Sequence, residues 1–214
     1  RGWEKGRLNG TGKTGDESGK PRGQGEYRKG KRVGAWALYY DNGQKESQAL
    51  YKDGAIKGVA KVWHKNGKLK TEEQWKGGKL WGKRTQYYEN GQKQDVGSYK
   101  EGKLALQWVS FHENGKKKEE GAFKGGKRNG EWTEWYDNGK KKRQTNYVDG
   151  KSNGLARMWF KNGQKQAGGT WELDLLNGRV TEWRENGKRK SAGAFVKRRQ
   201  RSDWTEVPPD TGAP

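Results

Sequence analysis

Asn-Gly occurs at 42, 66, 90, 114, 138, 162 and 186, and every step is 24 residues. Ser18-Gly19 extends the series backwards by one interval. An aromatic stands three residues before each Asn: Tyr39, Trp63, Tyr87, Phe111, Trp135, Trp159 and Trp183. A second stands eight residues after each Gly, at Tyr51, Trp75, Tyr99, Phe123, Tyr147, Trp171 and Phe195, preceded by Trp3 and Tyr27. Glycine marks a boundary at 10, 34, 58, 82, 130, 154 and 178, with Leu106 as the exception. So regular a spacing restricts the chain to an array of equivalent units. Eight are read: 10–33, 34–57, 58–81, 82–105, 106–129, 130–153, 154–177 and 178–201. The array is assigned to 1–201, and 202–214 to a flexible tail.

Each unit reads as strand, tight turn, strand, looser turn. Asn-Gly is a strong hairpin signal because both residues tolerate positive φ. No segment carries a sustained 3.6-residue apolar period, so no helix is expected. A two-residue loop would throw the two aromatic columns onto opposite faces. A three-residue loop such as Asp137-Asn138-Gly139, with glycine left-handed in a bulge, puts Trp135 and Tyr147 together. The bulged loop is the expectation, since one shared aromatic face makes the better core. One hairpin's pair of rings cannot offset the entropy of ordering its own backbone. Neighbouring units must therefore share edges and ring contacts, and the expected fold is all-β, an elongated single-layer array of antiparallel β-hairpins.

Composition alone would suggest disorder, with 28% hydrophobic and 34% charged residues and a mean hydropathy of −1.45. The 25 aromatics (12 Trp, 9 Tyr, 4 Phe) and their periodic placement overrule it. The formal charge of +21 favours anionic partners and works against self-association, so a monomer is expected. With no cysteine, disulfides and thiolate chemistry are excluded and the compartment stays open. No apolar run approaches the ~20 residues needed to span a bilayer. The chain begins at Arg1, which reads as a processed product or fragment from which a signal peptide could have been removed.

The stretch "GEWTEWYDNGKKKRQTNYVDGKSNG", 130–154, resembles the MORN repeat, and more closely its bacterial variant. That variant runs G-x-W-x-x-Y-x-x-N-G-K, then an aromatic, then G-K-x-x-G. The resemblance covers essentially 1–201 and recurs in register. It implies a hairpin array with a binding or scaffolding role, and some bacterial members are assigned as antitoxins of toxin–antitoxin systems. Leu106, the stretch "WELDLLNG" and the polar unit 10–33, which lacks its first aromatic, depart from the pattern.

Nothing in the chain assembles a catalytic or cofactor site. His64 and His112 hold one slot in units two apart, roughly 19–20 Å along a stack at ~4.8 Å per strand. They share it with Tyr40, Tyr88, Tyr136 and Phe160, as a surface aromatic column does. The acids Asp41, Glu89, Glu113, Asp137 and Glu185 precede Asn-Gly and serve turns and solvation. "GTGKTG" at 10–15 lacks the strand and helix of a phosphate-binding loop. No cofactor, metal or catalytic residue is expected.

Lys45, Lys93, Lys117, Lys141, Lys165 and Arg189 hold one repeat position, interrupted by Leu69. In the bulged register each faces an aromatic, which suits cation–π stacking. Such lysines also protect sheet edges and cover rings. Together with Tyr40, His64, Tyr88, His112, Tyr136 and Phe160 they are the candidate partner-binding residues. The function expected is a non-enzymatic scaffold that docks an acidic protein, in one version an antitoxin or immunity protein. The alternative is an electrostatic binder of anionic lipid, nucleic acid or polysaccharide.

Overall fold

The computed structural model describes residues 2–4, 7–196, 199–200 and 205–206. The side chain of Trp3 and the tail 202–214, apart from Thr205–Glu206, lie outside the described residues. The chain divides into two compact units, Arg1–Leu104 and Ala105–Pro214. Within each, successive strands pair antiparallel with their sequence neighbours, giving a single-layer sheet of hairpins. No helix occurs among the described residues.

One hairpin of the second unit explains the rest. The strand Lys127–Trp135 is joined to the strand Lys141–Val148 across the Asn-Gly turn. The Tyr136 N–H donates to the Lys140 carbonyl at 2.9 Å, and the Gly139 N–H to the Tyr136 carbonyl at 2.9 Å. Gly139 stands at φ 89°, so the loop is the expected three-residue turn with a left-handed glycine. The chemistry of Asn explains its recurrence. Asn138 Oδ1 accepts the Lys140 N–H at 2.9 Å, while its Nδ2 donates to the Lys161 carbonyl of the next repeat at 2.8 Å. Aspartate could accept but not donate. Asn42 repeats the arrangement in the first unit, holding the Gln44 N–H at 3.0 Å and the Lys65 carbonyl at 3.1 Å. The Ser18-Gly19 turn closes through the Asp16 carboxylate, which accepts the Ser18 N–H at 3.0 Å and the Lys20 N–H at 3.1 Å.

The connection between hairpins is the tighter of the two turns, not the looser. Val148 pairs with Lys151 around the two residues Asp149-Gly150, both at positive φ, 49° and 87°. That twist matches the flanking strands. The Gly150 N–H then donates back to the Arg128 carbonyl of the preceding connection at 2.9 Å. Both ends of a hairpin are therefore bonded to a neighbouring repeat. Where "WELDLLNG" lacks the glycine, Leu173 and Asp174 occupy the positive-φ positions. The Asp174 carboxylate compensates, accepting from the Ser152 N–H and hydroxyl at 2.7 Å each.

The expected shared face for Trp135 and Tyr147 is overturned. Trp135 pairs with Lys141 but Glu134 pairs with Arg143, so Lys142 is an extra residue. This second bulge restores opposite parity to the two columns. Trp132, Thr145 and Tyr147 share one face, and Trp135, Thr133 and Gln144 share the other.

The core lies on the Trp132 face. Trp132 is 2% exposed and Trp36, four repeats earlier, 4%. Phe123 meets the Trp132 indole edge-on at 4.9 Å, and the Arg128 guanidinium covers it at 4.1 Å. The indole Nε1–H donates to the Ala122 carbonyl at 3.1 Å. Below it, a Cβ on Gly121 would overlap the ring. The first unit builds the same cage from Trp36, Tyr27 at 4.9 Å, Arg32 at 4.6 Å, the Glu26 carbonyl at 3.0 Å and the bare Gly25. Burying such a ring removes ~150–250 Å² from water, worth roughly 4–6 kcal/mol. In other repeats the same two positions carry Ala49 with Ala60, Thr145 with Ala156, and Glu73 with Arg84, an ion pair at 3.1 Å.

Candidate binding face

On the face away from that core, the first aromatic column meets the basic column. Tyr39 pairs with Lys45, Tyr87 with Lys93, Trp135 with Lys141, Trp159 with Lys165 and Trp183 with Arg189. In the second unit, Phe111 pairs with Lys117. The cations do not stack on these partners. Each of four reaches forward to the ring of the next repeat: Lys45 to Trp63 at 5.3 Å, Lys117 to Trp135 at 5.6 Å, Lys141 to Trp159 and Lys165 to Trp183 at 5.9 Å each. The register is as expected, and the cation–π partner is displaced by one repeat. The rings are half-buried under the lysine stems while the ammonium groups stay exposed. The result is a cationic surface on an aromatic floor.

The other candidates occupy a different place. Tyr40, His64, Tyr136 and His112 were expected to project as an outer ladder. Instead they open the Asn-Gly turns and lie back along the array. The Tyr40 hydroxyl donates to the Trp63 carbonyl at 2.7 Å, and the Tyr136 hydroxyl to the Trp159 carbonyl at 2.9 Å. His64 Nε2 bonds the Tyr87 carbonyl and His112 Nε2 the Trp135 carbonyl, each at 3.0 Å. A carbonyl only accepts, so Nε2 carries the hydrogen in both rings. Tyrosine and histidine share this slot because each ends in a donor aimed at the same acceptor. These four are staples between repeats. Tyr88 and Phe160 hold the corresponding turn positions, with backbone bonds to Gln92 and Gln164 at 2.8 Å.

Two of the turn acids are ion-paired with lysines across repeats. Asp41 lies 3.3 Å from Lys65, and Asp137 2.7 Å from Lys161. The hydrogen bond from each lysine holds its aspartate below the usual carboxylate range. Among the described residues no three His, Asp or Glu side chains gather into a metal-holding group.

Sequence reasoning missed the residues that define the two faces. Trp36 and Trp132 were not recognised as the core, nor Arg32 and Arg128 as their covers. A signal was present: each of these tryptophans follows a glycine by eleven residues.

The fold and this face define a β-hairpin repeat array, a class of protein that serves in binding and scaffolding. Five stretches, 32–53, 57–76, 82–101, 106–124 and 128–149, match the MORN repeat variant family. Those five stretches are thus similar to MORN-variant repeats. The matched stretches run from 32 to 149, one for each of the five consecutive units from 34 to 153, each beginning at most two residues ahead of its unit. Outside them, the hairpins around Asn162 and Asn186 keep the same turn, with the Gly163 N–H donating to the Phe160 carbonyl at 2.8 Å. No curated protein matches the chain.

Proposed function

We propose that the chain is a non-enzymatic scaffold, 1–201, that docks a protein with an acidic surface through its lysine-and-aromatic face. The observation that carries this reading is the column of exposed cations laid over half-buried rings. Such a face offers apolar area for burial together with charge that steers an anionic partner. The turn residues Tyr40, His64, His112 and Tyr136 are withdrawn from this role, because their polar ends are already bonded within the array. Immunity or antitoxin action is one form of the same activity, in which the docked protein is a toxin. The +21 charge opposes self-association, so the array acts as a monomer.

The test is capture of the partner from source cells, followed by calorimetry with the purified partner and a Lys117→Glu, Lys141→Glu variant. The variant should melt like the parent and bind more weakly, with the largest deficit at low salt. Equal affinity of the two proteins would remove the face from the interface. Interleaved rings and lysines also suit single-stranded nucleic acid. Capture that nuclease treatment abolishes would favour that reading instead.

A further inference from the structure

The basic face is not uniform. At one register position on it, the repeats carry Gln48, Glu72, Val96, Glu120, Gln144, Gly168 and Ala192. Gly168 alone has no side chain. It sits in the strand Lys165–Glu172, paired with Arg157 of the strand Lys151–Trp159 and Thr181 of the strand Leu175–Trp183. The missing side chain leaves a cleft of about 230 Å³ between Trp159 and Trp183, floored by Gly168 and bordered by Leu155. That volume lies below the ~300–1,000 Å³ typical of small-molecule pockets. It suits one inserted side chain.

The charge around the cleft also differs from that in the repeats of Glu72 and Glu120. Arg157, Lys165 and Arg179 border it and are exposed. Among the described residues no carboxylate pairs with any of the three. In two other repeats of this face an acid answers a cation: Glu72 lies 3.0 Å from Lys61, and Glu120 2.6 Å from Lys117. Apolar walls, a bare floor and, among the described residues, three cations without a carboxylate partner meet at this cleft.

We propose that this cleft is the anchor point of the docking face, and that it takes a single aromatic or large aliphatic side chain from an acidic, extended segment of the partner protein. The segment's carboxylates meet Arg157, Lys165 and Arg179 while the apolar side chain enters between Trp159 and Trp183. This rests on the acidic-partner reading and adds the partner's local chemistry. Binding energy concentrates where a side chain fills a desolvated pocket ringed by polar contacts. A nucleic-acid strand would use the ring column repeatedly, whereas the bare floor occurs in one repeat.

The experiment uses two fluorescent synthetic peptides, each with one central residue flanked by three aspartates on either side. One carries Phe at the centre and the other Ala, with an oligothymidylate of equal charge as a third probe. Each is titrated against the parent and Gly168→Gln. The substitution installs the side chain already present at Gln48 and Gln144, and a Cβ at Gly168 meets its nearest neighbours at an ordinary 3.8–3.9 Å, so the fold should be retained. The Phe peptide should bind the parent at least about tenfold more tightly than the Ala peptide, the factor one buried side chain supplies. In Gly168→Gln that advantage should disappear while the weaker Ala-peptide binding persists. If both peptides bind the parent equally, the anchor is refuted and the acidic-partner reading stands. If neither peptide binds and oligothymidylate does, the acidic-partner reading falls and the anchor with it.

Discussion

Replacing glycine by alanine at two sites of one sheet should have opposite effects, because one glycine lies under an indole and the other under open space. Neither Gly121 nor Gly168 has positive φ, so backbone strain does not enter. At Gly121 the new Cβ would overlap three atoms of the Trp132 ring. That ring is 2% exposed and held by its bond to the Ala122 carbonyl and by Arg128, so it cannot yield freely. Overpacking of this kind costs about 1–3 kcal/mol. At Gly168 the nearest atoms stand 3.8 Å or more away, and loss of unfolded-state freedom should stabilise by about 0.4–1 kcal/mol. Urea denaturation of both variants gives the comparison. A double-mutant cycle isolates the clash: Trp132→Ala alone should lose about 3–5 kcal/mol, and Gly121→Ala added to it should cost nothing further. If Gly121→Ala is as well tolerated as Gly168→Ala, or costs the same with and without the indole, the cage account is wrong.

Tyr136→Phe deletes only the hydroxyl that bonds the Trp159 carbonyl, and should lower stability by about 0.5–1.5 kcal/mol in the same assay; an unchanged midpoint would return Tyr136 to the surface. Burial holds the Asp95 carboxyl above its ordinary value of 3.8, despite Arg84 at 3.3 Å. The folded chain then binds this proton more tightly than the unfolded chain does. The group's contribution therefore falls as pH rises from 3.8 through the raised native value, and is level above it. Asp95→Asn removes that loss, so the variant-minus-parent stability should climb across the same window in urea melts; a constant difference would contradict it.

The array was legible because its period is carried by residues with strict local duties: a left-handed glycine at 139, and an asparagine at 138 that accepts within its turn and donates to the next. Face assignment was not, because it hung on Lys142. A bulge created by one extra residue has no fixed residue type, and its slot holds Glu46, Lys70, Gln94, Lys118, Lys142, Gln166 and Lys190. Counting from the turn alone therefore placed Trp135 with Tyr147. The basic column was visible as a column, but the reach of Lys141 to Trp159 depends on how adjacent hairpins stack. Likewise, Tyr136 and His112 look like a surface series until the carbonyl one repeat ahead is in place. The pairing of Trp132 with Gly121 was readable in principle, since volume is exchanged between two positions along one chain: Trp with Gly, Ala with Ala, Arg with Glu.

That the lysine-and-aromatic face is the docking surface is tested most directly by lysine acetylation footprinting, read by mass spectrometry, of the free array and of its complex with the captured acidic partner. Lys117, Lys141 and Lys165 should be strongly shielded in the complex, while Lys142 and Lys190, which reach Glu134 and Glu182 on the Trp132 face at 3.9 and 3.3 Å, keep their free reactivity. Shielding centred on Lys142 and Lys190, with Lys117, Lys141 and Lys165 as reactive as in the free chain, would contradict it.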